Sequence, residues 1–288
     1  MQRQIALHVA HMCMSSLGIV ASRGVFDLGF GCPICVNTFS QLVVFGVGRC
    51  LKSRDDNISL SHRFIGTMTI LSHILGHIPY KYLTVAFIQM LKSLTPVVMV
   101  IILMVHRIEH PNRRRSIAVV GMCAFACVAS AGEMNFHLGG VVLMLASSVA
   151  EAYRLAWTQR FAYEDPIVLM TSTARVAALC GMPFAAIECV LTPPHITLVG
   201  CAWCFTNGVV ACGINLLTIQ IVKNSGSTTL KFVGIMRNAG VVVCSSVWYN
   251  EYIAFSEIVS YLGMLMCTLA YFCSSSDSVS RLSSIGQI

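Results

Sequence analysis

The chain has 288 residues, of which 56% are hydrophobic and 11% charged, with a mean hydropathy of +0.75 and a formal net charge of +7. Soluble domains carry about 25% charged residues, so this composition excludes a water-soluble fold and requires lipid as solvent. The basic residues fall in short gaps between apolar runs, where membrane orientation explains them and nucleic-acid binding does not.

In chain order, the apolar runs predict spans at 4–26, 32–51, 63–80, 82–106, 114–132, 138–160, 166–190, 196–222, 227–249 and 254–273. Their lengths suit a hydrocarbon layer about 30 Å thick. The expected class is an all-α integral membrane protein of about ten transmembrane helices in two inverted five-helix repeats. The expected organisation is one ten-helix domain over 1–273, with repeats at about 1–132 and 138–273, and a Ser-rich cytosolic tail over 274–288.

The first run begins behind Arg3 alone and continues to Arg23 without a small-residue cleavage site, so neither a transit peptide nor a cleaved signal peptide is expected. The second opens on Cys32-Pro33-Ile34-Cys35, and Cys201 and Cys204 repeat the same spacing in the eighth. Neither pair has a second ligand pair nearby in sequence, so zinc or redox use is not expected of them. Other cysteines inside spans, such as Cys123, Cys180 and Cys212, read as small packing residues. His73 and His77, at i and i+4 in the third span, lack a local carboxylate or thiol, and no metal or cofactor is expected.

In the fourth span Gln89, Lys92, Ser93 and Pro96 share a helical face. Lys92 has no acidic neighbour one turn away, and Pro96 frees a backbone carbonyl, so this face is a candidate anion site; the alternative is structural pairing of Lys92 with Glu151. Arg113, Arg114 and Arg115 read as a patch facing lipid headgroups. In the sixth span Ser147, Glu151, Arg154 and Thr158 recur at helical spacing, which lets Glu151 and Arg154 pair, either to fix packing or to meet a ligand. In the eighth, Asn207, Asn215 and Thr218 fall in one quadrant, where they can bind sugar or base groups, although hydrogen bonds between helices are the commoner use. The ninth carries Ser227, Lys231, Gly234 and Asn238 on one face, with Arg237 about 120° away. Gly234 and Gly240 are expected to allow close helix approach or local unwinding.

Counting Lys and Arg between spans puts twelve on one side of the membrane and Lys81 alone on the other. Both termini are therefore expected in the cytosol, with an even number of spans. Phe87 to Lys92 (FIQMLK) resembles Phe232 to Arg237 (FVGIMR), and Glu109 with Gly121 is echoed by Glu251 with Gly263. A repeat of five spans inverts, and it relates Lys92 to Arg237 as two cations able to grip one anionic ligand near the midplane. Six basic residues lie within spans: Arg23, Lys92, Arg154, Arg175, Lys231 and Arg237. Each costs about 2.5 to 3.5 kcal/mol at a helix centre, so they need partners or a polar cavity. Arg23, Arg175 and Lys231, where the expected span ends are softest, are expected to snorkel.

The runs Thr84 to Pro96 (TVAFIQMLKSLTP), Ala129 to Glu133 (ASAGE), Ala150 to Leu155 (AEAYRL) and Thr229 to Gly234 (TLKFVG) resemble the triose-phosphate translocator and nucleotide-sugar transporter family, within the drug/metabolite transporter superfamily. The resemblance implies a ten-helix antiporter that exchanges phosphorylated sugars for phosphate, or nucleotide sugars for nucleoside monophosphates. It also implies that Lys92 and His73 match a phosphate-contacting lysine and histidine of the plastid members. Met236-Arg237 stands where those members carry Lys-Arg, and His77 where they carry asparagine, which favours a nucleotide sugar or another organic anion over triose phosphate.

The expected substrate-binding residues are Lys92, Arg237, Glu151, Arg154, Gln89, His73, Lys231 and Asn215. The expected partners are a small anionic phosphorylated metabolite and the bilayer, with no nucleic acid, and with a homodimer left open. Golgi or endoplasmic reticulum is the expected membrane. A non-transporting scaffold or regulator, and a carrier of another organic solute, are the alternatives; no nucleophile, metal cluster or phosphate loop suggests an enzyme.

Overall fold

The computed structural model describes residues 2–27, 31–52, 58–83, 85–92, 94–106, 113–132, 137–194, 196–249 and, except for 261 and 268, 259–271. Among these residues every regular element is helical and there is no strand. The helices are α1 (Gln2–Asp27), α2 (Pro33–Leu51), α3 (Leu60–His77), α4 (Val85–Lys92), α5 (Thr95–Val105), α6 (Arg113–Gly132), α7 (Leu138–Arg160), α8 (Pro166–Leu191) and α9 (Leu198–Tyr249), with a 3₁₀ turn at Ile78–Lys81. The Ser-rich tail expected over 274–288 lies outside the described residues.

Local chemistry sets the boundaries. Prolines 33 and 166 occupy the first turns of α2 and α8, where a missing N–H costs nothing. Asp165 caps α8, its side chain accepting from the Ile167 N–H at 2.9 Å. The expected fourth span divides into α4 and α5 just before Pro96, because proline cannot donate to the helix ladder. The Thr95 hydroxyl donates to the Lys92 carbonyl at 2.7 Å there. The eighth and ninth expected spans form one helical run, α9, interrupted at Gly226, whose φ of 82° and ψ of 159° only glycine adopts readily.

Among the described residues, four helices are long and apolar enough to cross a membrane: Pro33–Leu51, Leu138–Arg160, Pro166–Leu191 and Leu198–Lys231. Thr95–Val105, Ser116–Phe125 and Leu262–Tyr271 are shorter apolar helices. Exposed Leu138, Val142, Leu179, Val190, Leu198 and Val199 present the apolar surfaces that lipid requires.

The chain forms two compact units, Met1–His77 with Tyr153–Leu230, and Ile78–Ala152 with Lys231–Ile288. In the first unit α8 runs antiparallel along α2. Gly48 lies against Thr171, Gly181 against Thr38, and the Cys35 N–H reaches Glu188 at 2.9 Å. Ala174, Ala177 and Ala178, almost fully buried, keep α8 close to its neighbours, as expected where lipid removes the hydrophobic drive and packing must hold helices together. Gly66 of α3 touches the same helix: a Cβ there would come within 2.7 Å of the Thr173 carbonyl oxygen. Val44, Ile65, Leu169, Met170, Cys212 and Ile219 form the core around this seam.

Among the described residues, the second unit has two apolar clusters. Leu83, Phe87, Ile88 and Leu91 pack with Met144 and Met264, while Val97 and Val100 pack with Ala118, Met122 and Tyr271. Within that unit a Cβ on Gly234 would meet no described atom within 4 Å, while the non-helical backbone of α9 is at Gly226, in the first unit.

Candidate functional site

Five helices of the first unit enclose a cavity of ≈ 20 Å³. Its polar wall comprises Gln41 of α2, Thr69 of α3, Arg154 and Thr158 of α7, Thr173 of α8, and Asn215 and Thr218 of α9, with Ile65, Leu169, Met170, Ala174 and Ile219 completing the lining. A cavity of this size holds about one water, so this conformation is a contracted one with respect to any organic solute.

Helical spacing explains how the groups converge. Arg154 and Thr158 are one turn apart on α7, and Asn215 and Thr218 nearly so on α9. The hydroxyls of Thr69, Thr158 and Thr173 donate to carbonyls of their own helices, those of Ile65, Arg154 and Leu169, at 2.8, 2.8 and 2.7 Å. Their protons are thereby used within the helix, which leaves oxygen lone pairs as the groups they offer. Thr218 also meets His11 Nε2 of α1 at 3.2 Å. Against these acceptors stand the donors: the Arg154 guanidinium and the amides of Asn215 and Gln41. The set suits a solute with both anionic and hydroxyl groups.

Beside Arg154, Tyr153 and Trp157 form an aromatic cluster with Phe64 of α3, with ring centroids 6.1 Å apart for Phe64–Tyr153 and 5.1 Å for Phe64–Trp157. At one end of this unit His62 Nε2 lies 2.7 Å from Glu164 Oε2, Lys52 Nζ 2.8 Å from Asp165, and Lys223 Nζ 3.5 Å from the Glu164 carbonyl. Hydrogen bonding from Lys52 and then from the Ile167 backbone holds the Asp165 carboxyl below its ordinary value.

Asn207, expected on the same quadrant as Asn215, has a packing role. Its Oδ1 accepts from Ser22 at 3.1 Å and its Nδ2 donates to Ser40 at 3.3 Å, which ties α9 to α1 and α2. His73 is half-buried on α3, one turn before His77, whose Nε2 meets Asn37 Nδ2 at 2.6 Å. No group of three metal-ligating side chains occurs among the described residues.

The second unit holds Lys92, Lys231 and Arg237. The Lys231 ammonium pairs with Glu151 at 2.5 Å, its side chain only 16% exposed. Lys231 is therefore held by a carboxylate instead of snorkelling as expected. The Lys92 ammonium donates to the Tyr80 hydroxyl at 3.1 Å and stands 5.3 Å from the Tyr80 ring centroid, a cation–π arrangement. The side chains of Gln89 and Arg237 lie outside the described residues.

Of the expected site residues, then, the structure brings together Arg154 with Asn215, and Glu151 with Lys231. Sequence reasoning missed Gln41, Thr69 and Thr173 as lining residues. Thr69 does share a helical face with Ile65 and His73, but nothing in sequence distinguishes Thr173 from its neighbours Thr171 and Ser172.

No family model matches the chain. Among curated proteins, it is 28% identical to a protein of Arabidopsis thaliana named as a probable sugar phosphate/phosphate translocator, over 61% of this chain and 50% of the relative. A second Arabidopsis protein of that description is 25% identical over 81% of this chain and 74% of the relative. The Arabidopsis UDP-uronic acid transporter 1 is 23% identical over 77% and 74%. The chain spans about half the length of several of the curated relatives it matches. A crystal structure shares the fold, with a TM-score of 0.63 and 15% identity over 93% of this chain and 96% of that one. These likenesses agree with the resemblance that the strings around Lys92, Glu151 and Lys231 carry to the triose-phosphate translocator and nucleotide-sugar transporter family.

Proposed function

We propose that the chain is a membrane antiporter that exchanges a nucleotide sugar or sugar phosphate for a nucleoside monophosphate or phosphate by alternating access. The observation that carries this reading is the placement of Arg154 in a polar cavity with Asn215 and a set of threonine oxygens. The guanidinium supplies a permanent positive charge with forked donors suited to phosphate, and the threonine oxygens accept from sugar hydroxyls. The names of the relatives support the same class of solute.

In the second unit, Lys92 and Arg237 are the cations we assign to phosphate charge, and Glu151 holds Lys231. The contracted cavity implies that substrate entry requires the helices around it to separate, which is the widening expected of one conformation in an alternating cycle. Obligatory exchange follows if an empty, cationic site is too unfavourable to reorient across lipid. We further propose ten spans in two inverted repeats, both termini in the cytosol, and residence in the Golgi or endoplasmic reticulum.

The small size of the cavity favours one competing reading, a non-transporting membrane protein in which the intramembrane charges only fix packing. Uptake by proteoliposomes preloaded with phosphate, UMP or GMP, and offered labelled sugar phosphates and nucleotide sugars, separates the two. Exchange that depends on one internal anion supports the carrier; no exchange with any pair, from protein shown to be folded, supports the packing role.

A further inference from the structure

Within the first unit α1 runs antiparallel along the first part of α9. Met14 lies against Gly213, and Gly18 against Ile214 and Val210. Further along, Ser22 bonds Asn207, Gly24 abuts Trp203, and Val25 packs with Cys204. These partners are apolar, small or neutral, as suits a helix seam in lipid. At the cavity end of the seam stands a titratable group. His11 Nε2 lies 3.2 Å from the Thr218 hydroxyl, and Thr218 lines the cavity.

Thr218 differs from the other threonines of the wall. Thr69, Thr158 and Thr173 donate to carbonyls of their own helices, so each offers a solute only lone pairs. The Thr218 hydroxyl is buried, and its hydrogen-bond partner among the described residues is His11. The imidazole therefore sets the direction of its proton. With Nε2 bare, the hydroxyl donates to the ring and turns a lone pair toward the cavity. With a hydrogen on Nε2, the ring donates to the hydroxyl oxygen, and the hydroxyl proton is released to the cavity. Protonating the imidazole puts a hydrogen on both ring nitrogens, which leaves only the second arrangement.

We propose that His11 is a positioning residue for the cavity: a proton on His11 converts Thr218 from an acceptor into a donor for the anionic group of the solute. This rests on the reading of the cavity as an anion site, and adds to it a proton that binds together with the anion. A lone pair aimed at a phosphate oxygen repels it, whereas an O–H donor extends the set formed by Arg154, Asn215 and Gln41. The groups on the surrounding elements that carry or can carry charge are His8 one turn earlier on α1, His73 one turn past Thr69 on α3, Arg154 on α7, and Lys223 five residues past Thr218 on α9. No carboxylate lines the cavity among the described residues, so the negative charge that favours the imidazolium is the solute's own. Proton and anion accordingly strengthen each other's binding, by the reciprocity that linkage requires. His11 acts through Thr218 and does not itself meet the solute.

The test measures binding of inorganic sulfate, whose charge is constant over the range in which histidine titrates, through the thermal stabilisation of the full-length protein in detergent. Sulfate titrations are run at about pH 5.5 and about pH 8. For the wild type, the sulfate concentration that gives half the maximal stabilisation should be about tenfold lower at the acid pH, the effect of one added charge-assisted hydrogen bond. His11→Gln and Thr218→Val should each abolish this pH effect. Thr218→Ser, which keeps the hydroxyl, and His8→Gln should retain it. A purely structural contact would change the melting temperature of His11→Gln and leave the pH effect in place. If His11→Gln does not fold, the contrast between Thr218→Val and Thr218→Ser decides. Sulfate binding of equal strength at both pH values overturns the proposal and leaves the anion site standing. A pH effect that survives in Thr218→Val, or that is lost in His8→Gln but kept in His11→Gln, also overturns it. No stabilisation by sulfate at either pH overturns the anion site and the proposal together.

Discussion

Glu151 and Lys231, eighty positions apart in the chain, meet at 2.5 Å within the second unit, their side chains 32% and 16% exposed. Removing one partner leaves the other charge in a poorly solvated place. Breaking a fully buried pair costs about 3 to 5 kcal/mol, and partial exposure reduces that to roughly 2 kcal/mol here. Lys231→Gln is therefore expected to lower the melting temperature of the detergent-solubilised protein, and Glu151→Gln added to it to restore most of the loss. A double variant no more stable than Lys231→Gln alone would show that the pair is not the source of the effect.

Gly66 and Gly234 make opposite predictions. Alanine at position 66 puts a Cβ 2.7 Å from the Thr173 carbonyl and from Val176 Cβ. Backbone cannot yield there as a side chain can, so Gly66→Ala should destabilise by about 1 to 3 kcal/mol, the usual cost of overpacking. Because Thr173 lines the cavity, the same change should alter any transport it supports. Gly234→Ala meets open space among the described residues and should be neutral or stabilising by up to about 1 kcal/mol, through the unfolded chain. Thermal melting of the two variants side by side checks both.

The Lys52–Asp165 pair predicts a pH dependence outside the spans. Lys52 and the Ile167 N–H lower the Asp165 carboxyl from its ordinary value of 3.8. A carboxylate depressed on folding contributes stability that is fully present above its unfolded value and lost as pH falls through the lower folded value. Melting temperature should thus fall more steeply for wild type than for Asp165→Asn in the acid range below about pH 4. Identical acid slopes would remove Asp165 from the account. The contribution is modest, because both side chains are more than 40% exposed and solvent screens such pairs.

Periodicity and punctuation made much of the helix pattern legible. The apolar run over 138–160 coincides with Leu138–Arg160, and Pro33, Pro166 and Gly226 mark real boundaries that a reader of proline and glycine positions can place. The cavity was half legible. Arg154 and Thr158 share a face by spacing alone, and Asn215 with Thr218 does too. Which of these faces meet depends on helix rotation, and in a chain bathed in lipid an outward apolar face and an inward one carry the same composition. Thr69, Thr173 and Gln41 therefore could not be picked out. Nor could the choice of Lys231 as a partner for Glu151, since it joins helices distant in sequence.

Arg154 also makes the most direct test of the central claim. Wild-type and Arg154→Gln proteins, each confirmed as folded, should be reconstituted into vesicles preloaded with phosphate, UMP or GMP and into empty vesicles, and the uptake of labelled nucleotide sugar or sugar phosphate measured. Loss of a charge-assisted contact costs about 1.5 to 3 kcal/mol, so exchange by the variant should fall roughly tenfold or more, and wild-type uptake into empty vesicles should be negligible. Equal exchange by the variant would contradict the role of Arg154 in binding the anion, and rapid wild-type uptake into empty vesicles would contradict obligatory exchange.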